Sequence, residues 1–387
     1  MGSMNTNTWT PRLLSRRALT SFLLCGACWW GAACGHTQAF APVDMGTVMH
    51  AVETYGKGHA PAAAKAEPAA GAGATDSKDP AQGSSSYQAH VAIVLSEENF
   101  DQLEKEAQKW RTSKATVEGG HWRLSQLYDG VSNPPLKENS TDADWETHFA
   151  SLAKWVAKYP ASATARIATA EAYVNYAWVA RGTGYADKVK ENGWELFGER
   201  LEKAKSALVE AAKLKEKCPE WYSVMFNVAL GDGWDKRQAR ELFDQSVAFE
   251  PDSLFYYNQY AYFILPKWYG KEGDSQAFAE EASKQVGGAK GSIIYFEVAS
   301  ETACQCDKDR DSMDQLSWAE IKEGYANMKK VYGASNLDDN KFAYMAYSQG
   351  DKAAAQQAFE TIGSAWNHNV WRSGENYDGA RAWATGA

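Results

Sequence analysis

The chain has 387 residues, 40 Lys+Arg against 49 Asp+Glu, and is 44% hydrophobic and 13% aromatic. That is enough bulky apolar material to bury a sizeable core, which excludes wholesale disorder. The net charge of −9 excludes a nucleic-acid binder that works by neutralising phosphates with a basic face. Trp9, Trp29 and Trp30 apart, all 16 Trp lie after residue 90, so the core is expected there.

Residues 1–41 predict an export segment. Arg12, Arg16 and Arg17 precede an uncharged run, Ala18 to Gly35. The run has the length of a signal core, and its Gly, Cys and Ala make it too dilute for a good spanning helix. Ser15-Arg16-Arg17 resembles a twin-arginine signal, loosely matched by the residues that follow. Met4 is an alternative start. Cleavage is open between Thr37-Gln38-Ala39, Ala39-Phe40-Ala41 (with Pro42 after the cut) and the lipobox-like Gly31-Ala32-Ala33-Cys34, which makes Cys34 a lipidation candidate. The expected location is periplasmic or envelope-anchored, with a lipid on Cys34 as the one membrane contact.

Residues 42–90 predict a linker, on the Ala/Gly/Pro/Ser-rich composition between Gly56 and Ser86. From 91 to 387 the apolar residues follow a 3.6-residue period. Val91 to Leu95 is a brief β-like run. Ser96 is then expected to open a helix with Phe100, Leu103, Ala107 and Trp110 on one face. Asp144 is expected to open another, carrying Trp145, Phe149, Leu152 and Val156 and closed by Tyr159-Pro160. Later helices come in pairs. Cys218-Pro219 and Glu250-Pro251 end successive units 32 residues apart, close to the roughly 34-residue tetratricopeptide period. Further pairs are expected at 254–265 with 276–286, 293–304 with 318–331, and 341–348 with 352–362. The fold class is all-α, a tetratricopeptide-like solenoid of paired antiparallel helices.

Pro160 and Pro219 are 59 residues apart, so one hairpin has longer helices and an insertion at Arg181–Gly193. Arg181, favoured by the helix dipole at a C-terminus, is expected to pair with Asp187 as a latch under Tyr185 and Trp194. Ligand binding is the alternative role for this loop.

The string Ala177-Trp178-Val179-Ala180-Arg181-Gly182-Thr183-Gly184-Tyr185-Ala186, with Gly193-Trp194-Glu195-Leu196-Phe197, Cys218-Pro219-Glu220-Trp221-Tyr222, Ala229-Leu230-Gly231-Asp232-Gly233-Trp234-Asp235 and Leu265-Pro266-Lys267-Trp268-Tyr269-Gly270, resembles the bacterial family called domain of unknown function 4034. The resemblance spans about residues 95–385. It implies tetratricopeptide-like helical repeats and no assigned reaction.

His-Glu-x-x-His, Gly-x-Ser-x-Gly and phosphate-loop patterns are absent from the sequence. Asp307-x-Asp309-x-Asp311 starts like a calcium loop but has Ser312 at the glycine position and Trp318 at the closing-carboxylate position, so a solvated loop is expected. His90, His121, His148 and His368 are scattered, and Cys304-Gln305-Cys306 lacks a second ligand pair, so neither metal nor cofactor is expected. Pairing among Cys218, Cys304 and Cys306 stays open. Aromatic residues crowd the chain around Tyr256, Tyr260 and Trp268. With Trp221, Arg181, Tyr185, Asp187 and Trp194 they are the binding candidates, and gap-filling between helices is the alternative. The expected function is a non-enzymatic interaction module for a protein or peptide. The other two readings are a glycan binder, and an enzyme using carboxylates near 181–194.

Overall fold

In a computed structural model the described residues are 42–59, 84–135, 140–182, 188–305, 313 and 315–386. All lie within one unit, Phe40–Ala387. Among them are seventeen helices and no strand. They are α1 (Met45–Tyr55), α2 (Ser84–Ser96), α3 (Phe100–Ser113), α4 (Arg123–Val131), α5 (Asp142–Lys158), α6 (Ala163–Arg181), α7 (Gly193–Ala212), α8 (Glu220–Asp232) and α9 (Lys236–Phe249). There follow α10 (Phe255–Phe263), α11 (Asp274–Val286), α12 (Gly288–Gln305), α13 (Trp318–Val331), α14 (Asn336–Ser348), α15 (Lys352–Ile362), α16 (His368–Trp371) and α17 (Gly374–Thr385).

The architecture is an all-α solenoid. From α6 onward the helices alternate between two layers. The inner series α6, α8, α10, α12 and α14 packs each member on the next, while α7, α9, α11, α13 and α15 pack as outer partners. The sequences explain this division. α8 carries buried Trp221, Tyr222, Val224, Met225, Phe226, Val228 and Ala229, apolar nearly all round because it is covered on several sides. Outer α9 has a single stripe, Ala239, Leu242, Phe243, Ser246 and Phe249, at helical spacing. α6 buries Ala163, Ala165, Ala168, Ala170, Ala172 and Ala177, whose small side chains let α5, α7 and α8 approach closely. The long hairpin expected between the two prolines is α6–α7, 19 and 20 residues.

Capping fixes several boundaries. Thr141 with Asp144, Asp235 with Gln238, and Ser335 with Asp338 form reciprocal capping boxes, each N-cap contributing about 1 kcal/mol. Asp144 is therefore the third residue of α5 rather than its start. Ser96 likewise ends α2, and Asn99 caps α3.

Two stretches within 42–90 are helical where a linker was expected. α1 wedges between outer helices α7 and α9, burying Val48, Ala51, Val52 and Tyr55. Tyr55 stacks on Trp221 at 4.2 Å, and its hydroxyl accepts from Cys218 N (2.8 Å) and donates to Cys218 O (3.1 Å). α2 absorbs the run Val91–Leu95: the apolar residues Tyr87, Val91, Val94 and Leu95 share one helix face against α4. No helix among the described residues is long and apolar enough to cross a membrane.

Candidate functional site

The segment between α3 and α4 packs against the turns that lead into α10 and α14. It is a small hairpin, with Val117 N donating to His121 O (2.8 Å), Arg123 N to Ala115 O (2.8 Å), and a bridge between Thr116 and Trp122. Its tip, Glu118-Gly119-Gly120, reaches the turn between α13 and α14, where Gly119 N donates to Gly333 O at 2.7 Å. Both glycines have φ near +80° (81° and 74°). A Cβ at Gly119 would lie 2.7 Å from Asp338 Oδ2, and one at Gly120 would lie 2.8 Å from Leu254 Cδ1. Only glycine fits both the backbone angle and the approach. At its root, Lys114 Nζ holds Glu250 Oε1 at 2.9 Å.

Where this hairpin lies over α6, α8 and the start of α10 it leaves a half-enclosed cavity of about 410 Å³, in the range of small-ligand sites. α4 supplies Ser125, Gln126 and Asp129; α6 supplies Glu171 and Asn175; α8 supplies Glu220, Ser223 and Asn227. Trp122, Leu254 and Phe255 give apolar wall. Among the described lining residues there is no Lys or Arg. Arg123, beside them in sequence, donates to Gln126 Oε1 and lies over the Tyr87 ring.

Glu220 is buried and accepts from Ser125 Oγ at 2.9 Å. Burial, reinforced by the Asp129 charge, pushes its carboxyl up to about 7, against the pull of the Ser125 and Ser223 hydroxyls. Deeper in the stack, Asn258 Nδ2 donates to Glu297 Oε2 at 2.7 Å. Burial, with Asp338 adding to it, pushes Glu297 up to about 8, while Lys341 and Asn258 oppose the shift. Lys341 is itself paired to Glu301 at 2.9 Å. Burial lowers His121.

The sequence candidates lie elsewhere. Trp221, Tyr256 and Tyr260 are core residues, at 0%, 0% and 5% exposure. Trp221 Nε1 donates to Leu208 O, Tyr256 OH donates to Pro219 O, and Tyr260 stacks on Phe243. Buried this way, they have no surface to offer a ligand, and gap-filling describes them. Tyr185 and Asp187 fall outside the described residues, as do Cys34, Cys306 and the Asp307–Asp311 loop. Arg181 sits among three indoles, Trp178, Trp194 and Trp268, at 5.5, 5.8 and 5.7 Å, and donates to Gly182 O. Trp194 is 48% exposed. Cys218 is a free, buried thiol against Tyr128 OH. The described carboxyls that burial draws towards neutrality, Glu104, Glu220, Glu297 and Asp339, all lie outside 181–194 in sequence. Among the described residues no three His, Cys, Asp or Glu converge as a metal site.

Set beside family models, curated proteins and solved structures, the chain matches none of them.

Proposed function

We propose that this chain is an exported, non-enzymatic binding protein of the bacterial envelope, related to domain of unknown function 4034, and that it holds a polar group of its partner in the cavity beneath the 115–122 hairpin. The carrying observation is the cavity itself, built from α4, α6, α8 and a glycine-dependent hairpin, with amide, hydroxyl and carboxylate side chains around an apolar wall. A peptide end or side chain fits this mixture of groups better than it fits the buried aromatics.

A thermal-shift panel of short peptides and saccharides tests the reading. A peptide is expected to stabilise the wild-type chain and not Asn227→Trp, whose indole fills the cavity. Equal stabilisation of both, or none of either, overturns it. A saccharide that stabilises only the wild type moves the reading to a glycan binder.

Export rests on Arg16-Arg17 and the uncharged run behind them. Fractionation is expected to find the chain in the envelope, cut between Ala33 and Pro42. A lipid label lost in Cys34→Ser marks the anchored form, and full-length chain in the cytoplasm refutes export.

A further inference from the structure

Glu297, midway along α12, is 1% exposed, and Asn258 of α10 is 8% exposed. One hydrogen bond joins them, from Asn258 Nδ2 to Glu297 Oε2 at 2.7 Å. The other end of each planar group is an oxygen, Glu297 Oε1 and Asn258 Oδ1, and both are buried with no hydrogen-bond partner. An ionised carboxylate only accepts, and so does an amide oxygen. With Glu297 ionised, neither oxygen has a donor. A single proton on Oε1 changes this, because the acid then carries a donor and the amide oxygen can accept it. Turning the amide over would set Oδ1 against Oε2 and forfeit the one bond that exists. Buried polar atoms are rarely left unmatched, and here one hydrogen matches two.

The surrounding charges act in the same sense. Asp338 of α14 and Glu301, one turn further along α12, both oppose ionisation of Glu297. Lys341 of α14 favours it, but is paired to Glu301 at 2.9 Å. His121 of the hairpin feels the same Asp338, Lys341 and Glu301, and burial lowers it, so it is uncharged above about pH 6.5. α10 carries no Asp, Glu, Lys, Arg or His, and α11 and α13 meet α12 at Gly291, Ser292 and Phe296. Asp338 is also the cap of α14, accepting from Ser335 N and Oγ at 2.8 and 2.7 Å. Its Oδ2 is the atom that a Cβ at Gly119, in the hairpin tip, would strike.

We propose that Glu297 holds a proton on Oε1 and donates it to Asn258 Oδ1, and that this neutral acid–amide pair is a pH-sensitive clasp between α10 and α12 whose release loosens the α14 cap under the hairpin tip. Burial pushes Glu297 up to about 8, so around that pH the proton leaves to solvent. The carboxylate left behind repels Asp338 and again faces an amide oxygen that has no donor. The clasp operates whatever the cavity holds.

The test uses the full chain, its Glu297→Gln variant, in which an uncharged amide stands in for the neutral acid, and Asn258→Leu. Infrared spectra near pH 6.5 should contain a protonated-carboxyl band that wild type loses around pH 8 and that Glu297→Gln lacks. In Asn258→Leu that band should move to higher frequency, since the acid has lost its acceptor. Near pH 9 the Ser335 amide should exchange about tenfold faster in wild type than in Glu297→Gln, while near pH 6.5 the two should match. Comparison at one pH removes the base catalysis of exchange, and unchanged circular dichroism confirms both folds. Absence of the band near pH 6.5 overturns the stored proton, a loss that needs no variant to see. A band unmoved in Asn258→Leu overturns the pairing, and equal exchange near pH 9 overturns the clasp.

Discussion

Trp221→Ala is expected to destabilise the protein by about 4 kcal/mol, from the loss of a buried indole and the cavity left behind. The side chain is fully buried, stacked on Tyr55 at an interplanar angle of 11° and set edge-on to Tyr222 at 5.2 Å. Its removal also leaves the Leu208 carbonyl without its indole donor. Tyr55 carries α1, so the variant should release that helix as well. Trp194→Ala, at an exposed site, is expected to cost under about 1 kcal/mol. Urea unfolding of the two variants measures the contrast. Equal midpoints would mean that α1 is not docked and that Trp221 is free to serve as a surface residue.

The second large effect is on pH. Glu297 is held above its ordinary value, so between about 4.5 and 8 the folded chain keeps a proton that the unfolded chain releases. The native state then binds more protons than the unfolded state, and stability falls as pH rises across that window. One proton corresponds to roughly 1.4 kcal/mol per pH unit. Glu220, pushed to about 7, adds in the same direction over the lower part of the window. Below about pH 6.5 the lowered His59, His121 and His148 act in the opposite sense, so the decline is expected from about pH 6.5 to 8, and Glu297→Gln, which cannot ionise, is expected to flatten it by about one proton. A parallel pH profile in the variant would place the titration elsewhere.

The fold was more legible than the site, for physical reasons. Helices α13 and α15 begin and end where the sequence placed them. Each has one apolar face and a polar N-cap, Ser317 and Asp351 respectively. α1 carried the same spacing in Val48, Ala51, Val52 and Tyr55, but the composition change from Gly56 onward overrode it. α2 was missed because five consecutive apolar residues suit a strand and a buried helix equally. The cavity was invisible for a different reason. Its polar residues come from separate helices, α4, α6 and α8, and in sequence each alone looks like an ordinary solvated position. Only Gly119-Gly120 offered a local sign, a pair of residues placed where the chain must bend and approach closely.

α1 has a consequence for the order of assembly. It is synthesised early, yet the tyrosine that anchors it meets Cys218, 163 positions further along the chain, and its neighbours α7 and α9 are completed only at residue 249. A chain halted at the end of α7 has made the wedge but not Trp221 or Phe249, against which the wedge closes. The later repeats can zip up through contacts between near neighbours, as stacked units do. The long loop that α1 must close carries an entropic cost, which delays its docking until the outer layer exists. The first described helix of the chain is therefore expected to be among the last to lock, and hydrogen exchange at Val52 during refolding should lag behind that at Ala343.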